Sequence, residues 1–492
     1  MENISTQNKP KLNVTLIVAI MLAGAFVAIL NQTLLVTALP HIMADLNIDA
    51  TAAQWLTTIF MLVNGIMIPI TAYLIDKFST RALFITSVGL FALGTLIAAI
   101  SPNFGTLLVG RVVQAAGAGI IMPLMQTVFL VIFPKEKRGA AMGMIGLVIS
   151  FAPAIGPTLS GWIVDSYSWR TLFYIILPIA VIDLVIAVFA LKNVSELRNP
   201  KLDMTSVTLS TLGFGGLLYG FSSASKGWSD PIVIISILIG AISLYLFVTR
   251  QFKLKEPLLE FRVFKDRVFT VSMIITVIVF TAMIGASTLM PLYIQNARHM
   301  SALHSGLIVL PGAILMGIMS PITGRIFDKY GAKVISTIGL VLMAGGTIPF
   351  AFLTSTTSIT YITIMFTLRM FGMSMVLMPV TTAGLNQLPT HLLSHASAMN
   401  NTLRQVGGSI GTAVLITILT NASSSSALLG NSTENALIHG TNMAFLVASG
   451  LSVLALILIF FLKEPPHKRT ASQEEKASSS QMSNKRKAVS QS

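Results

Sequence analysis

AYLIDKFSTR, residues Ala72–Arg81, and GRIFDKYGAK, residues Gly324–Lys333, each close a long apolar run and each set an aspartate beside a lysine. The two aspartates, Asp76 and Asp328, stand 252 positions apart in a chain of 492 residues. A second pair keeps nearly the same offset: Arg111 and Arg369, each deep in an apolar run, are 258 apart. Two landmarks repeated at matched depth argue for an internal duplication, the sequence mark of many transport folds.

Outward from these landmarks the chain is a succession of apolar runs. Six lie near 14–39, 54–75, 82–100, 105–133, 139–164 and 170–191, two near 204–223 and 232–249, and six near 269–293, 304–324, 334–353, 359–383, 397–420 and 441–462. About 20 apolar residues cross a bilayer core, so the expectation is an all-α polytopic protein with fourteen spans. The first run is too long for a signal-peptide core and is read as a retained span. Spans 1–6 then repeat as spans 9–14, with spans 7 and 8 inserted between them. The implied organisation is an N-terminus at 1–13, a first six-helix bundle at 14–191, an insert with linkers at 192–268, a second bundle at 269–462 and a basic tail at 463–492.

The composition agrees. Hydrophobic residues fill 54% of positions and charged residues 10%, with mean hydropathy +0.80. A soluble domain carries roughly 25% charged residues, so most of this surface faces something other than water. The net charge of +14 would suit a nucleic-acid binder, but the placement of the charges excludes that. With the N-terminus inside, 26 of the 32 Lys and Arg fall in segments on one side, three fall on the other, and Arg111, Arg369 and Arg404 lie within spans. That asymmetry puts both termini in the cytoplasm. Trp55, Trp162, Trp169 and Trp228 fall at the opposite ends of their spans, where headgroups anchor aromatic rings. The tail is expected to be disordered, and its Lys485–Lys487 run either binds anionic lipid or is simply solvated.

Several chemistries drop out. There is no cysteine, so disulfides and thiolate metal sites are excluded. No phosphate loop of the G-x-x-x-x-G-K-[ST] kind occurs, and no polar stretch could hold a nucleotide-binding domain. No paired acids or nucleophile constellation supports an enzyme. The energy source is therefore a gradient or a partner, with no cofactor, and the expected partners are small molecules, protons and membrane lipid.

At these residues the sequence resembles the major facilitator superfamily, in particular its fourteen-span drug:proton antiporters of the EmrB/QacA type. GRIFDKYGAK is similar to the family's loop motif G-x-x-x-D-[RK]-x-G-[RK]-[RK], with Gly324, Arg325, Asp328 and Gly331 in place; the first copy keeps Asp76 and Lys77. The resemblance implies a latch favouring the outward-facing state. Gly324 would let two helices approach, and Asp328 would meet basic neighbours and a helix N-terminus. GRVVQAAGAGIIMP (Gly110–Pro123) resembles the fourth-span motif, which assigns proton coupling to Arg111 and carries Gln114. An arginine there is costly unless it meets a polar partner; the alternative is that it snorkels to the headgroups. The fifth span resembles the antiporter motif, with Gly143, Ala152, Gly156, Pro157, Ser160 and Gly161 on its positions. Ala152, Gly156 and Ser160 recur every four residues and strip one face for close packing, while Pro157 can bend the helix. The LNQTLLVTALPHIM segment looks like the lincomycin-exporter subgroup (LmrB-like). The implied fold is the major facilitator fold, two six-helix bundles plus two extra central helices.

Antiport needs a titrating group. The family usually has an aspartate in the first span, where this chain has Asn31. Of the 18 Asp and Glu, only Asp183 lies near the middle of a span, which makes it the candidate carrier. The resemblance places the sixth span at the bundle periphery, so a structural role stays open; Asp165 comes next, then His41 or His304. Candidate cavity residues are Asn31, Gln32, Asn64, Gln114, Gln126, Asn400, Asn401 and Arg404. With so little negative charge in the spans, neutral, monocationic or lipophilic cargo is expected. Two function classes remain beside the multidrug exporter of a bacterial cytoplasmic membrane, acting as a monomer. One is a dedicated exporter of a metabolite, bile acid or signalling nucleotide, for which Arg111, Arg369 and Arg404 offer basic groups; the other is a channel or sensor.

Overall fold

A computed structural model describes residues 13–194, 197–224 and 227–464. The expected tail beyond 464 and all but the last residue of the N-terminal segment lie outside these residues. Helix starts are set by side chains that accept the otherwise orphaned first-turn N–H groups. Asn13 caps α1 (Val14–Leu46), Asp49 caps α2 (Ala50–Lys77), Ser79 caps α3 (Thr80–Ala99) and Asn103 caps α4 (Phe104–Ile132). The half is completed by α5 (Arg138–Ser166) and α6 (Arg170–Ala190). The insert is α7 (Met204–Ser223) and α8 (Pro231–Lys253). The second half comprises α9 (Arg267–Leu292), α10 (Ala302–Tyr330), α11 (Ala332–Thr347), α12 (Ile359–Ser374), α13 (Leu377–Leu385), α14 (Leu393–Leu428) and α15 (Thr433–Ile459).

Among the described residues thirteen helical segments are long and apolar enough to cross a membrane. The expected seventh span, α7, falls short because its face carries Ser206, Ser210 and several glycines. Those small residues are inside: Ser206, Ser210 and Gly213 are buried, and α7 packs on α8, α2 and α14. Its N-cap is the strongest polar junction of the insert. Asp203 accepts from the N–H and hydroxyl of Ser206 and from Arg250 Nε and NH2 at 2.6 and 2.9 Å. The Arg250 hydrogen bond, chiefly, holds the Asp203 carboxyl well below the usual carboxylate range. A lowered folded pKa means the contribution is complete above the unfolded value and is lost only as pH falls into strong acid. Asp203→Ala should therefore lower the melting temperature of the detergent-solubilised protein at neutral pH, the cap alone being worth ~1 kcal/mol, and an unchanged melting curve would show that the junction contributes nothing.

Within the first half α3 lies on α4 and α6, and α1 on α5, α4 and α6; the second half repeats this with α11 on α12 and α15, and α9 on α14, α13 and α15. The halves meet along two seams, α5 against α10 and α2 against α14, and α7 lies against both helices of the second seam. Outward faces are apolar, as on α6 (Ile182, Val185, Ile186, Phe189) and α8 (Ile235, Leu238, Ile242), which suits hydrocarbon rather than water.

The expected span 359–383 is broken at Met375–Val376. Pro379 has no N–H to give back to the preceding turn, and the freed carbonyls are caught by other helices. Thr323 Oγ1 on α10 donates to Ser374 O at 2.7 Å, and Ser336 Oγ on α11 donates to Met375 O at 3.0 Å. A break at membrane depth persists only with such substitutes. The antiporter-type glycines of α5 also divide their work. Gly143 lies against the α10 backbone at Ser320–Pro321, whereas Gly156 faces Thr33 of α1 and Ser160 Oγ donates to Leu34 O at 2.6 Å. A Cβ at Gly161 would meet nothing within 4 Å, so its position asks for no small residue.

Candidate functional site

The helix ends rich in Lys and Arg share one face of the bundle, here the basic face, and the polar chemistry starts there. The first turn of α5 has no side-chain cap of its own. Its amides are taken by the other half instead: Gly139 N–H donates to Asp328 Oδ1 at 2.7 Å and Ala140 N–H to Oδ2 at 2.9 Å. Gly324 sits directly on the Gly139 carbonyl, with no room for a Cβ. A carboxylate on a helix N-terminus gains from both the bonds and the dipole, roughly 1.5–3 kcal/mol per charged hydrogen bond. Arg138 adds a bond across the seam to Asn386 Oδ1 at 3.0 Å. Arg325 is exposed, and Gly331 closes α10 with φ +83°.

The repeat-related contact uses different groups. Asp76 accepts from Ser394 Oγ at 2.7 Å and lies 3.4 Å from His395 Nε2, both on the first turn of α14. Lys77 turns away to Tyr73 OH at 2.7 Å. Sequence reading overlooked Ser394 and His395, although the duplication pointed at them: adding the offsets of 252 and 258 to Gly139 lands on 391–397.

Deeper in the first half lies a polar node around Arg111. The side chain is fully buried, so it does not reach the headgroups. Its Nε donates to Leu56 O at 3.2 Å, and NH1 donates to Asn31 Oδ1 and Gln114 Oε1 at 2.7 and 2.8 Å. Gln114 Nε2 passes the chain on to Thr95 Oγ1 at 2.7 Å, and the Phe60 ring lies 4.2 Å from the guanidinium carbon. Arg369 holds the matching place in the second half, donating from NH2 to Ala282 O at 2.6 Å. Arg404, on α14, stacks at 4.3 Å on the Phe280 ring of α9. Ion pairs among the described residues include Arg170–Asp45, Arg250–Asp203, Arg262–Glu260 and His395–Asp76; none of these involves the three intramembrane arginines.

Between the halves Gln126 Oε1 accepts from Asn401 Nδ2 at 2.8 Å and from Asn400 Nδ2 at 3.5 Å. Asn64 and Gln32 are half-buried, Asn64 beside Gly119 of α4. Asp183 is 4% exposed, and its Oδ2 is buried without a hydrogen-bond partner. It points at Gly24 of α1, which the Phe84 ring of α3 also crowds, inside the first bundle rather than between the two. Asp165 is exposed at the end of α5 away from the basic face, as are His41 and His304 at helix ends. Trp169, expected in the headgroups, is 3% exposed and gives its Nε1 hydrogen to Asp45 Oδ2 at 3.0 Å. Among the described residues no group of His, Cys, Asp and Glu could hold a metal ion.

The sequence matches the Major Facilitator Superfamily over residues 21–412. It is 57% identical to an uncharacterized MFS-type transporter, YcnB, of Bacillus subtilis, over 94% of this chain and 97% of that one. It is 43% identical to the lincomycin resistance protein LmrB of the same organism, over 91% and 95%. Among solved structures the proton:xylose symporter XylE superposes with TM-score 0.62 at 13% identity, over 92% of this chain and 96% of that one, which is a likeness of fold alone.

Proposed function

The chain belongs to the major facilitator superfamily, and from that premise we propose that it is a proton-coupled exporter of amphipathic or lipophilic compounds, working by alternating access. One observation carries the reading. Every side-chain hydrogen bond between the two halves among the described residues lies at the basic face or at Gln126. Halves bonded to one another by a handful of exchangeable side-chain hydrogen bonds at one end, and only packed together elsewhere, are built to rock. The basic face is cytoplasmic by the distribution of Lys and Arg, so the described state is closed to the cytoplasm. Residues 14–191 and 269–462 act as the rocking bundles, 192–268 as the insert beside the α2–α14 seam, and the 1–13 and 463–492 segments stay inside. Export is favoured by the antiporter-type fifth span and by the name of the lincomycin resistance relative. No cofactor is called for, and one copy of the chain suffices.

Proton movement is assigned to Arg111 and Asp183. Asp183 is the sole acid buried in a span interior among the described residues. By the rise of α1, its contact at Gly24 lies about 10 Å from Asn31, the Arg111 partner, on the same face of that helix. In inside-out vesicles under an imposed proton gradient, wild type should accumulate a fluorescent amphipathic dye. Asp183→Asn should bind the dye but accumulate it at least ten-fold more slowly. Equal accumulation would leave Asp183 a structural residue while antiport stands, and no dye movement by wild type at any gradient would sink the exporter reading.

A further inference from the structure

We propose that the cargo site between the bundles is built for an anion: Arg404, with Gln126 and the Asn400–Asn401 pair, receives the single acidic group of an amphiphile. The proposal rests on the exporter reading and narrows its substrate class. Arg404 is 4% exposed, and its Nε and NH1 are buried with no hydrogen-bond partner. Its guanidinium lies over the Phe280 ring, which attracts a cation but takes no hydrogen bond from these nitrogens. A buried guanidinium with no acid and open donors costs several kcal/mol unless something supplies the missing charge.

The neighbours point the same way. Asn400 and Asn401 precede Arg404 by one turn of α14, about 5.4 Å toward the basic face, and reach across to Gln126 of the other half. Gln126 itself is fully buried, and its Nε2 has a free donor. Gln126, with its open donor, is thus bonded to α14 about one turn from the open donors of Arg404, at the junction of the halves where cargo must be held during rocking. Phe280 lies against Arg404, and Asn400 Oδ1 leaves an open acceptor beside these donors. An arginine fork suits a carboxylate, sulfonate or phosphate oxygen pair. Arg369 Nε and NH1 are also buried without partners in the same half, so the local field stays positive with no acid to offset it. The scarcity of intramembrane acids only argues against dications; the open guanidinium donors go further and favour an anion over a cation.

The test uses the full chain purified in non-ionic detergent and two probes of equal aromatic body, naphthalene-2-sulfonate and 2-naphthyltrimethylammonium. Binding is read from the ligand-dependent rise in melting temperature. Wild type should bind the sulfonate at least ten-fold more tightly than the ammonium, and Arg404→Gln should lose that preference. Without ligand Arg404→Gln should melt no lower than wild type, because an unpaired buried charge has gone. Should it fail to fold, Gln126→Ala supplies the second reading, with a smaller loss confined to the sulfonate. Equal binding of both probes by wild type, or an unchanged preference in Arg404→Gln, overturns the anion site. If phosphatidylglycerol in the micelle abolishes sulfonate binding, the site belongs to a lipid headgroup and the cargo assignment falls; unchanged binding upholds it. Dye accumulation in vesicles is scored separately. Transport that the sulfonate does not inhibit leaves the exporter and removes the anion, whereas sulfonate binding without any transport does the reverse.

Discussion

Arg111→Ala should abolish gradient-driven accumulation, lowering its initial rate at least a hundred-fold while the protein still folds. The side chain is the one object touching α1, α2 and α4 at the same depth, through Asn31, Leu56 O and Gln114. Its loss orphans three buried acceptors, each a charged hydrogen bond worth roughly 1.5–3 kcal/mol. Removal of a buried charge without a counter-ion works in the other direction, and the two amides can turn toward one another. Stability should thus change little, and coupling a great deal. Arg111→Lys is the sharper probe. One ammonium on a flexible stem cannot reproduce a fork that gives Nε to one helix and NH1 to two others, so the lysine should retain less than a tenth of wild-type transport. If Arg111→Lys accumulates dye at more than half the wild-type rate, a positive charge suffices and the fork geometry is irrelevant.

Gly324→Val should hold the basic face open. A Cβ at that position would enter the Gly139 carbonyl, which is backbone and cannot swing aside. Separating the helices by the width of a side chain breaks both Asp328 bonds to the α5 amides, and closure loses roughly 3–6 kcal/mol. A shift of that size takes a mostly closed population to a mostly open one. The chain has no native cysteine, so Lys137→Cys and Lys329→Cys, both at exposed positions, can carry spin labels without background. Their separation should lengthen and its distribution broaden with valine at 324, and accumulation should fall at least ten-fold. An unaltered distance distribution would mean that the seam is not set by backbone contact at Gly324.

Much of this was legible because apolar length and charge placement are one-dimensional. Every expected run became helical, the one at 359–383 in two pieces, and the Asp76–Asp328 and Arg111–Arg369 offsets were enough to announce two bundles. What failed needed the third dimension. Pro379 is visible in the sequence, but whether α12 breaks depended on Thr323 and Ser336, hydroxyls of two other helices. Asp183 announced its depth and not its direction; one residue earlier on α6, at the exposed Ile182, it would have faced lipid. Trp169 had the right address for a headgroup anchor, yet Asp45 and the Arg170 beside it drew it inward. Arg404 was visible as a charge, while the emptiness around its donors was not, since an unpaired group is defined by what every neighbouring helix declines to provide.

The two aspartate contacts at the basic face differ in how they can be altered by descent. Asp328 addresses amide hydrogens, which are the same whatever codon stands at 140, so only proline there, or bulk at the glycines, can erase that contact. Asp76 addresses a hydroxyl and an imidazole, and single-base changes at Ser394 or His395 replace either one. One side of the molecule is consequently fixed by the polypeptide itself, and the other is open to drift. Populations selected for faster or slower cycling will find their variation at the start of α14, and the residues that distinguish related transporters in resting state will concentrate there rather than at α5.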